Sequence, residues 1–172
     1  MEQTKKTILV VDDEQDVRNY LSKALTDAGF LVETASDGFE ALEKLKEFTP
    51  DMISLDLVMP KHSGLKFYRD IQMHKDYKKI PVLIVTGHAR DDLGKVDFDA
   101  MMMQGPGIYL EKPVKPLKYI ETVCKMLALE PEGYLKHIEK PDADTLRDQL
   151  QKSLDNADAD ALQKALEALK KK

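Results

Sequence analysis

The first 128 or so residues alternate between short apolar runs, rich in β-branched residues, and longer stretches with apolar positions three and four apart. That alternation predicts repeating strand–helix units and a parallel sheet, because parallel strands are joined by crossover helices. Strand β1 is Thr7–Val11, β2 Leu31–Ala35 and β3 Met52–Leu55, while β4 covers residues 81–85 and β5 residues 107–110. Helix α1, over residues 14–28, sets Val17, Leu21, Ala24, Leu25 and Ala28 on one face, with Gly29 as its stop. Helix α2, over residues 38–48, turns Phe39, Ala41, Leu42, Leu45 and Phe48 inward, and Pro50 blocks its continuation. Helix α3 begins near Leu65, and α4 falls somewhere in residues 90–103. Helix α5 opens at Lys115-Pro116, since proline suits a first helical turn, and directs Leu117, Ile120, Val123, Cys124 and Leu127 inward.

Pro131 and Gly133 mark a boundary, after which the composition shifts to Asp, Ala, Leu, Lys and Gln. The division expected is a domain over residues 1–128, a linker over 129–141 and a helical hairpin over 142–172. Asp142 or Asp144 can cap a helix carrying Leu146, Leu150 and Leu154. Asn156 breaks that pattern, and Asp158 can cap a second helix with Leu162, Ala165, Leu166 and Leu169, ending in Lys170-Lys171-Lys172.

With 172 residues, 42% hydrophobic and 33% charged, the chain has room for one packed domain and a charge-rich helical appendage. A net charge of −5 and a pI of about 5.4 argue against nucleic acid or an anionic membrane as partner. From Glu130 onward there are ten acidic and eight basic residues, and nothing resembles a DNA-recognition helix. Cys124 is the single cysteine, so an intrachain disulfide is impossible and a reducing interior is the natural setting. No run approaches the roughly 18 apolar residues of a membrane span, and the one near the amino terminus is too short for a signal-peptide core. The expectation is a soluble cytoplasmic protein.

The chemistry sits at the strand ends. β1 runs into Asp12-Asp13; β3 runs into Asp56, then Leu57-Val58-Met59-Pro60 and Gly64; β4 stops at Thr86-Gly87; β5 leads through Glu111 to Lys112-Pro113. In an open parallel sheet the carboxyl ends of the strands share one edge, where ligands bind, so these distant residues should converge. Each has a plainer explanation alone: Asp13 as a helix cap, Thr86 as a strand residue, Tyr109 and Cys124 as core. His62, His74, His88 and His137 are scattered and show no ligand spacing.

In this order and spacing, Asp12-Asp13, Asp56 with Met59-Pro60 and Gly64, Thr86-Gly87 and Lys112-Pro113 resemble a response-regulator receiver domain of two-component signalling. The resemblance covers residues 5–128, and Tyr109 matches that family's switch aromatic. It implies an α/β, flavodoxin-like (CheY-like), doubly wound five-stranded parallel sheet of order 2-1-3-4-5, here with a C-terminal α-helical hairpin. β1 and β3 then become neighbours, and three carboxylates facing each other repel unless a cation intervenes. A hard ion such as Mg²⁺ suits all-oxygen ligands. The resemblance implies that Asp13, Asp56 and the carbonyl of Val58 bind Mg²⁺ directly, with Asp12 acting through water.

It further implies that Asp56 is the phosphoacceptor for a histidine kinase, that Lys112 and Thr86 contact the phosphoryl oxygens, and that Thr86 and Tyr109 form the switch. The α4–β5–α5 face would then be read by a protein partner. The chain departs from the family's pattern at residues 97–107, with Met101-Met102-Met103-Gln104-Gly105-Pro106-Gly107, and at Glu111 beside the lysine. His88 sits where it can influence access of water to the phosphoryl group. The expectation is a stand-alone phosphorylation switch, not a dedicated enzyme, whose tail docks on the receiver or pairs in a homodimer. The alternative is a phosphorelay intermediate that passes its phosphoryl group to a histidine phosphotransfer protein. A phosphatase with an aspartyl nucleophile needs a second Asp two positions on, where this chain has Val58.

Overall fold

A computed structural model of the chain describes residues 5–60, 63–87, 108–136 and 138. The expected helix α4, the methionine run, the C-terminal hairpin, His62, His88 and His137 lie outside the described residues. Five parallel strands form one sheet in the order β2-β1-β3-β4-β5. β1, β2 and β3 have the bounds expected, whereas β4 is Val82–Thr86 and β5 is Tyr109–Glu111, each one or two residues later.

Alternation along the strands splits the core into two layers. Ile8, Val10, Met52, Leu83 and Val85 pack under Leu21 and Leu25 of α1 and Ile120 and Val123 of α5. Leu9, Val11, Ile53, Leu55 and Ile84 pack under Ala41 and Leu45 of α2 and Phe67 and Ile71 of α3. With helices on both faces the central strands are wholly buried, which is why β1, β3 and β4 read as continuous apolar runs.

The helices are α1 Gln15–Asp27, α2 Gly38–Glu47, α3 Gly64–Met73 and α5 Pro116–Met126, with a 3-10 turn at Tyr77–Lys79. Gly29 ends the α1 segment at φ 99°, a conformation that favours glycine. Asp37 caps α2 by accepting hydrogen bonds from the amides of Phe39 and Glu40, and Ser63 caps α3 through Lys66 N. Two residues expected inside are outside. Phe39 is 59% exposed because it lies two positions from Ala41, about 200° around the helix from the stripe that Ala41 and Leu45 define. Leu117 is 41% exposed, at the margin of an arc made instead by Tyr119, Ile120, Val123 and Cys124.

The segment expected to be a linker is partly a helix, α6, Pro131–Leu135. Tyr134 stacks on Phe30 with ring centroids 4.7 Å apart and planes 12° from parallel, and Leu129, Leu135 and Ile138 pack against the α1/α5 layer. The compact unit therefore runs on to Ile138. Pro131 here starts a helical turn instead of separating domains.

Candidate functional site

The ladder hydrogen bonds continue one residue past the strands and fix the polar groups in place. Asp12 N donates to Ala35 O at 3.1 Å, Asp56 N to Val11 O at 2.9 Å and Lys112 N to Thr86 O at 2.9 Å. Asp12, Asp56 and Lys112 thus emerge side by side at the carboxyl edge of β1, β3 and β5. Asp12, Asp13 and Asp56 each present an oxygen within 4.8 Å of the others. Asp12 is 1% exposed, Asp56 4%, and Asp13 is half-buried. The N-cap of α1 is Glu14 and not Asp13; its side chain makes no cap bond, and its amide donates to Asp12 Oδ1 at 2.9 Å.

Both oxygens of Asp56 are held. Oδ1 accepts from Val58 N at 3.0 Å and Oδ2 from Lys112 Nζ at 2.6 Å. The Lys112 ammonium also lies 2.9 Å from Asp12 Oδ2 and 3.2 Å from Glu14 Oε1. The ammonium is thus shared between the two buried aspartates. Burial by itself would depress Lys112, but the hydrogen bonds and charges of Asp56 and Asp12 outweigh it and hold the ammonium above its ordinary value. Burial raises Asp12, and Lys112 only partly offsets this.

Gly64 is dictated by this geometry. A Cβ there would fall on the carbonyl oxygen of Asp56 and 2.7 Å from Leu57 Cα, so only glycine lets the start of α3 approach the end of β3. Arg18, 9% exposed, braces the other side: Nη1 donates to Asp12 O and Nη2 to Gln15 Oε1, both at 2.6 Å. Neither Arg18 nor Glu14 stood out in the sequence as part of a site. The only signal was their place in the first turns after Asp12-Asp13, which any helix start would share.

Thr86 is 1% exposed and its hydroxyl is buried with no hydrogen-bond partner among the described residues. Tyr109 is 37% exposed on β5, where it pairs with Ile84 in the strand register. Glu111 is exposed, opposite Thr86 in the register, and the carboxylates that hold Lys112 are Asp12, Asp56 and Glu14. The Lys112–Pro113 peptide is cis. Cys124 is buried core, its thiol pushed up to about 11 by burial.

The donor set fits a hard divalent cation. Three carboxylates against one ammonium leave two uncompensated negative charges among oxygen-only ligands, and Asp13 opens on a cleft of about 240 Å³ that can admit solvent.

The sequence model of the response regulator receiver domain matches residues 8–124. This chain belongs to that family. The receiver is 38% identical over 124 residues to the response regulator MprA of Mycobacterium ulcerans (strain Agy99), a match covering 71% of this chain and 49% of MprA. The chain thus spans about half the length of that regulator. Among solved structures, the chemotaxis response regulator CheY4 of Vibrio cholerae aligns with a TM-score of 0.62 and 33% identity, over 72% of this chain and 99% of CheY4. The receiver domain of the sensor histidine kinase PA1611 of Pseudomonas aeruginosa PAO1, at 22% identity, shares the fold with a TM-score of 0.63 over 73% of this chain and 99% of its own. That protein holds a magnesium ion coordinated in its active-site cleft. The receiver is therefore a module of two-component signalling, with the sheet order its strand-end motifs implied. No helix among its described residues is long and apolar enough to cross a membrane.

Proposed function

We propose that Asp56 accepts a phosphoryl group from a histidine kinase and that the chain signals the change to a protein partner. The observation that carries this is the state of Asp56: a buried carboxylate, both oxygens oriented, beside two further aspartates and a lysine. One Asp56 oxygen would form the bond to phosphorus as the bond from phosphorus to the phosphohistidine nitrogen breaks. Such transfers rest on alignment and charge stabilisation. Lys112, already against Asp56 Oδ2, would follow the charge onto a phosphoryl oxygen, and the buried Thr86 hydroxyl would donate to another.

Asp13, Asp56 and the Val58 carbonyl would hold Mg²⁺, with Asp12 acting through water. When bound, the ion neutralises the carboxylates and the incoming phosphoryl oxygens. The Thr86 contact would be the trigger. Hydrogen bonds to charged groups are worth about 1.5–3 kcal/mol, which shifts a balanced conformational equilibrium by about one to two orders of magnitude. Tyr109, half out of the core on β5, is where that shift would reach the surface of α4, β5 and α5. The chain would work as a switch in the cytoplasm and not as a dedicated enzyme.

The test is incubation with acetyl phosphate and Mg²⁺, followed by intact mass. The parent chain should gain one phosphoryl group, labile to hydroxylamine, and Asp56→Asn should gain none. A phosphoryl adduct on the Asn variant, or none on the parent, refutes the assignment.

A further inference from the structure

The buried residues of α1 are Arg18, Leu21, Ala24 and Leu25, so a guanidinium occupies a position on the face where the helix otherwise presents apolar side chains. Arg18 is 9% exposed. A leucine or methionine would serve the packing there without desolvating a charge, and a buried charge is costly unless its donors are met. Arg18 directs them at the turn that joins β1 to α1. Nη1 donates to Asp12 O and Nη2 to Gln15 Oε1, each at 2.6 Å, while Arg18 N donates to Glu14 O at 2.9 Å.

The carbonyl that Arg18 holds belongs to the peptide unit joining Asp12 to Asp13. That unit is planar, so fixing its oxygen sets the direction in which both residues leave it. Asp12 has other anchors: its amide donates to Ala35 O at 3.1 Å, and its Oδ1 accepts from Glu14 N at 2.9 Å. Asp13 is half-buried and lines the open cleft. Among the described residues its carboxylate takes part in no hydrogen bond or ion pair, so its aim depends on the backbone behind it. A planar guanidinium that spans two acceptors fixes that backbone more tightly than a single flexible ammonium would.

We propose that Arg18 is a positioning residue for the cation site: its fork clamps the Asp12–Asp13 peptide and so aims the Asp13 carboxylate at the ion. The inference rests on the pocket being a Mg²⁺ site. Removing a group that orients a metal ligand typically weakens metal affinity by about tenfold or more. Charge acts in the opposite sense. A guanidinium on the Asp12 carbonyl repels a second cation, so losing its charge alone would tighten Mg²⁺ binding. The direction of the change therefore separates the clamp from the charge.

The experiment is Mg²⁺ titration calorimetry on the full chain and on its Arg18→Met, Arg18→Lys and Gln15→Ala variants, beside urea unfolding of each. Arg18→Met suits the apolar stripe and lacks both donors, whereas Arg18→Lys keeps the charge and lacks the fork. Both should bind Mg²⁺ about tenfold more weakly than the parent. Gln15→Ala, at an exposed position, removes the Nη2 acceptor and should weaken binding in the same direction by less. Unchanged or tighter binding by Arg18→Met, or parent affinity in Arg18→Lys, overturns the proposal, even if the urea midpoint moves. If the Arg18 variants do not fold, Gln15→Ala carries the test, and parent affinity there overturns it. A parent chain that binds no Mg²⁺ overturns the reading of the pocket and this inference with it, whereas a parent that binds beside unaffected variants overturns this inference alone.

Discussion

Lys112→Met removes an ammonium that faces two buried carboxylates, Asp56 at 2.6 Å and Asp12 at 2.9 Å. The methionine fills a similar volume, so the loss is chiefly electrostatic. Asp12 and Asp56 would remain within 4.8 Å of each other, 1% and 4% exposed, with nothing between them. Two unit charges at that separation repel by roughly 3.5 kcal/mol at an effective dielectric constant of about 20. Breaking a buried ion pair from one side costs about 3–5 kcal/mol, which agrees. At an m-value of about 2 kcal/mol/M, the urea midpoint near neutral pH without divalent cation should fall by roughly 1.5–2.5 M.

The pH dependence fixes the sign. In the variant Asp12, already raised by burial, loses the ammonium that partly offsets this, so the native state is favoured while it is protonated, and the penalty develops as pH rises through the raised value. The gap between variant and parent should therefore narrow at acid pH, and Mg²⁺ should narrow it at neutral pH. In the parent, Lys112 lies above its ordinary 10.5, so its contribution is present below that value and is lost as pH rises through the higher folded one. Urea unfolding by circular dichroism, at two pH values and with and without Mg²⁺, measures all of this. A variant that unfolds at the parent's urea concentration near neutral pH without Mg²⁺ would refute the reasoning.

Gly64→Ala drives a methyl onto the Asp56 carbonyl, so α3 or the β3 end must shift. The cost should be on the order of 1–3 kcal/mol, with slower acetyl-phosphate labelling of Asp56 in the chains that fold. Tyr134→Ala should lose about 0.5–1.5 kcal/mol for the ring pair with Phe30, whereas Tyr134→Phe should keep it; thermal melts of the two variants would separate ring from hydroxyl. Asp51 would be raised by burial, but the hydrogen bonds from Lys6 Nζ and Thr7 N, both 2.8 Å, prevail and lower it. Its contribution is present above about pH 3.8 and lost as pH falls through the lower folded value. Asp51→Asn should accordingly be slightly less stable than the parent at neutral pH and equal to it in strong acid, as read from acid titrations of the circular dichroism signal.

The polar residues after each strand were legible in the sequence because parallel topology obliges strand ends to meet, whatever separates them along the chain. Asp12, Asp13, Asp56 and Lys112 are gathered as that rule requires. Helix faces were less legible. Phe39 stands about 200° around α2 from Ala41 and Leu117 at the margin of the α5 arc, and the docked helices show which apolar positions the buried stripe includes. Arg18 and Glu14 resembled solvent-facing charges of α1, and only the packed loop turned them toward Asp12 and Lys112. The helix α6 was hidden because Pro131 and Gly133 read as breakers, while the ring that makes Tyr134 stack, Phe30, is about a hundred residues away.

By itself, then, the order of apolar runs and the residues that follow them determined the layered sheet and the identity of the acidic edge, since these depend on local pattern and strand topology. The tertiary structure alone decided that Lys112 bridges Asp56 and Asp12 and that Glu14 and Arg18 turn toward them. Those contacts depend on side chains brought together across separate strands and helices, which no local pattern records.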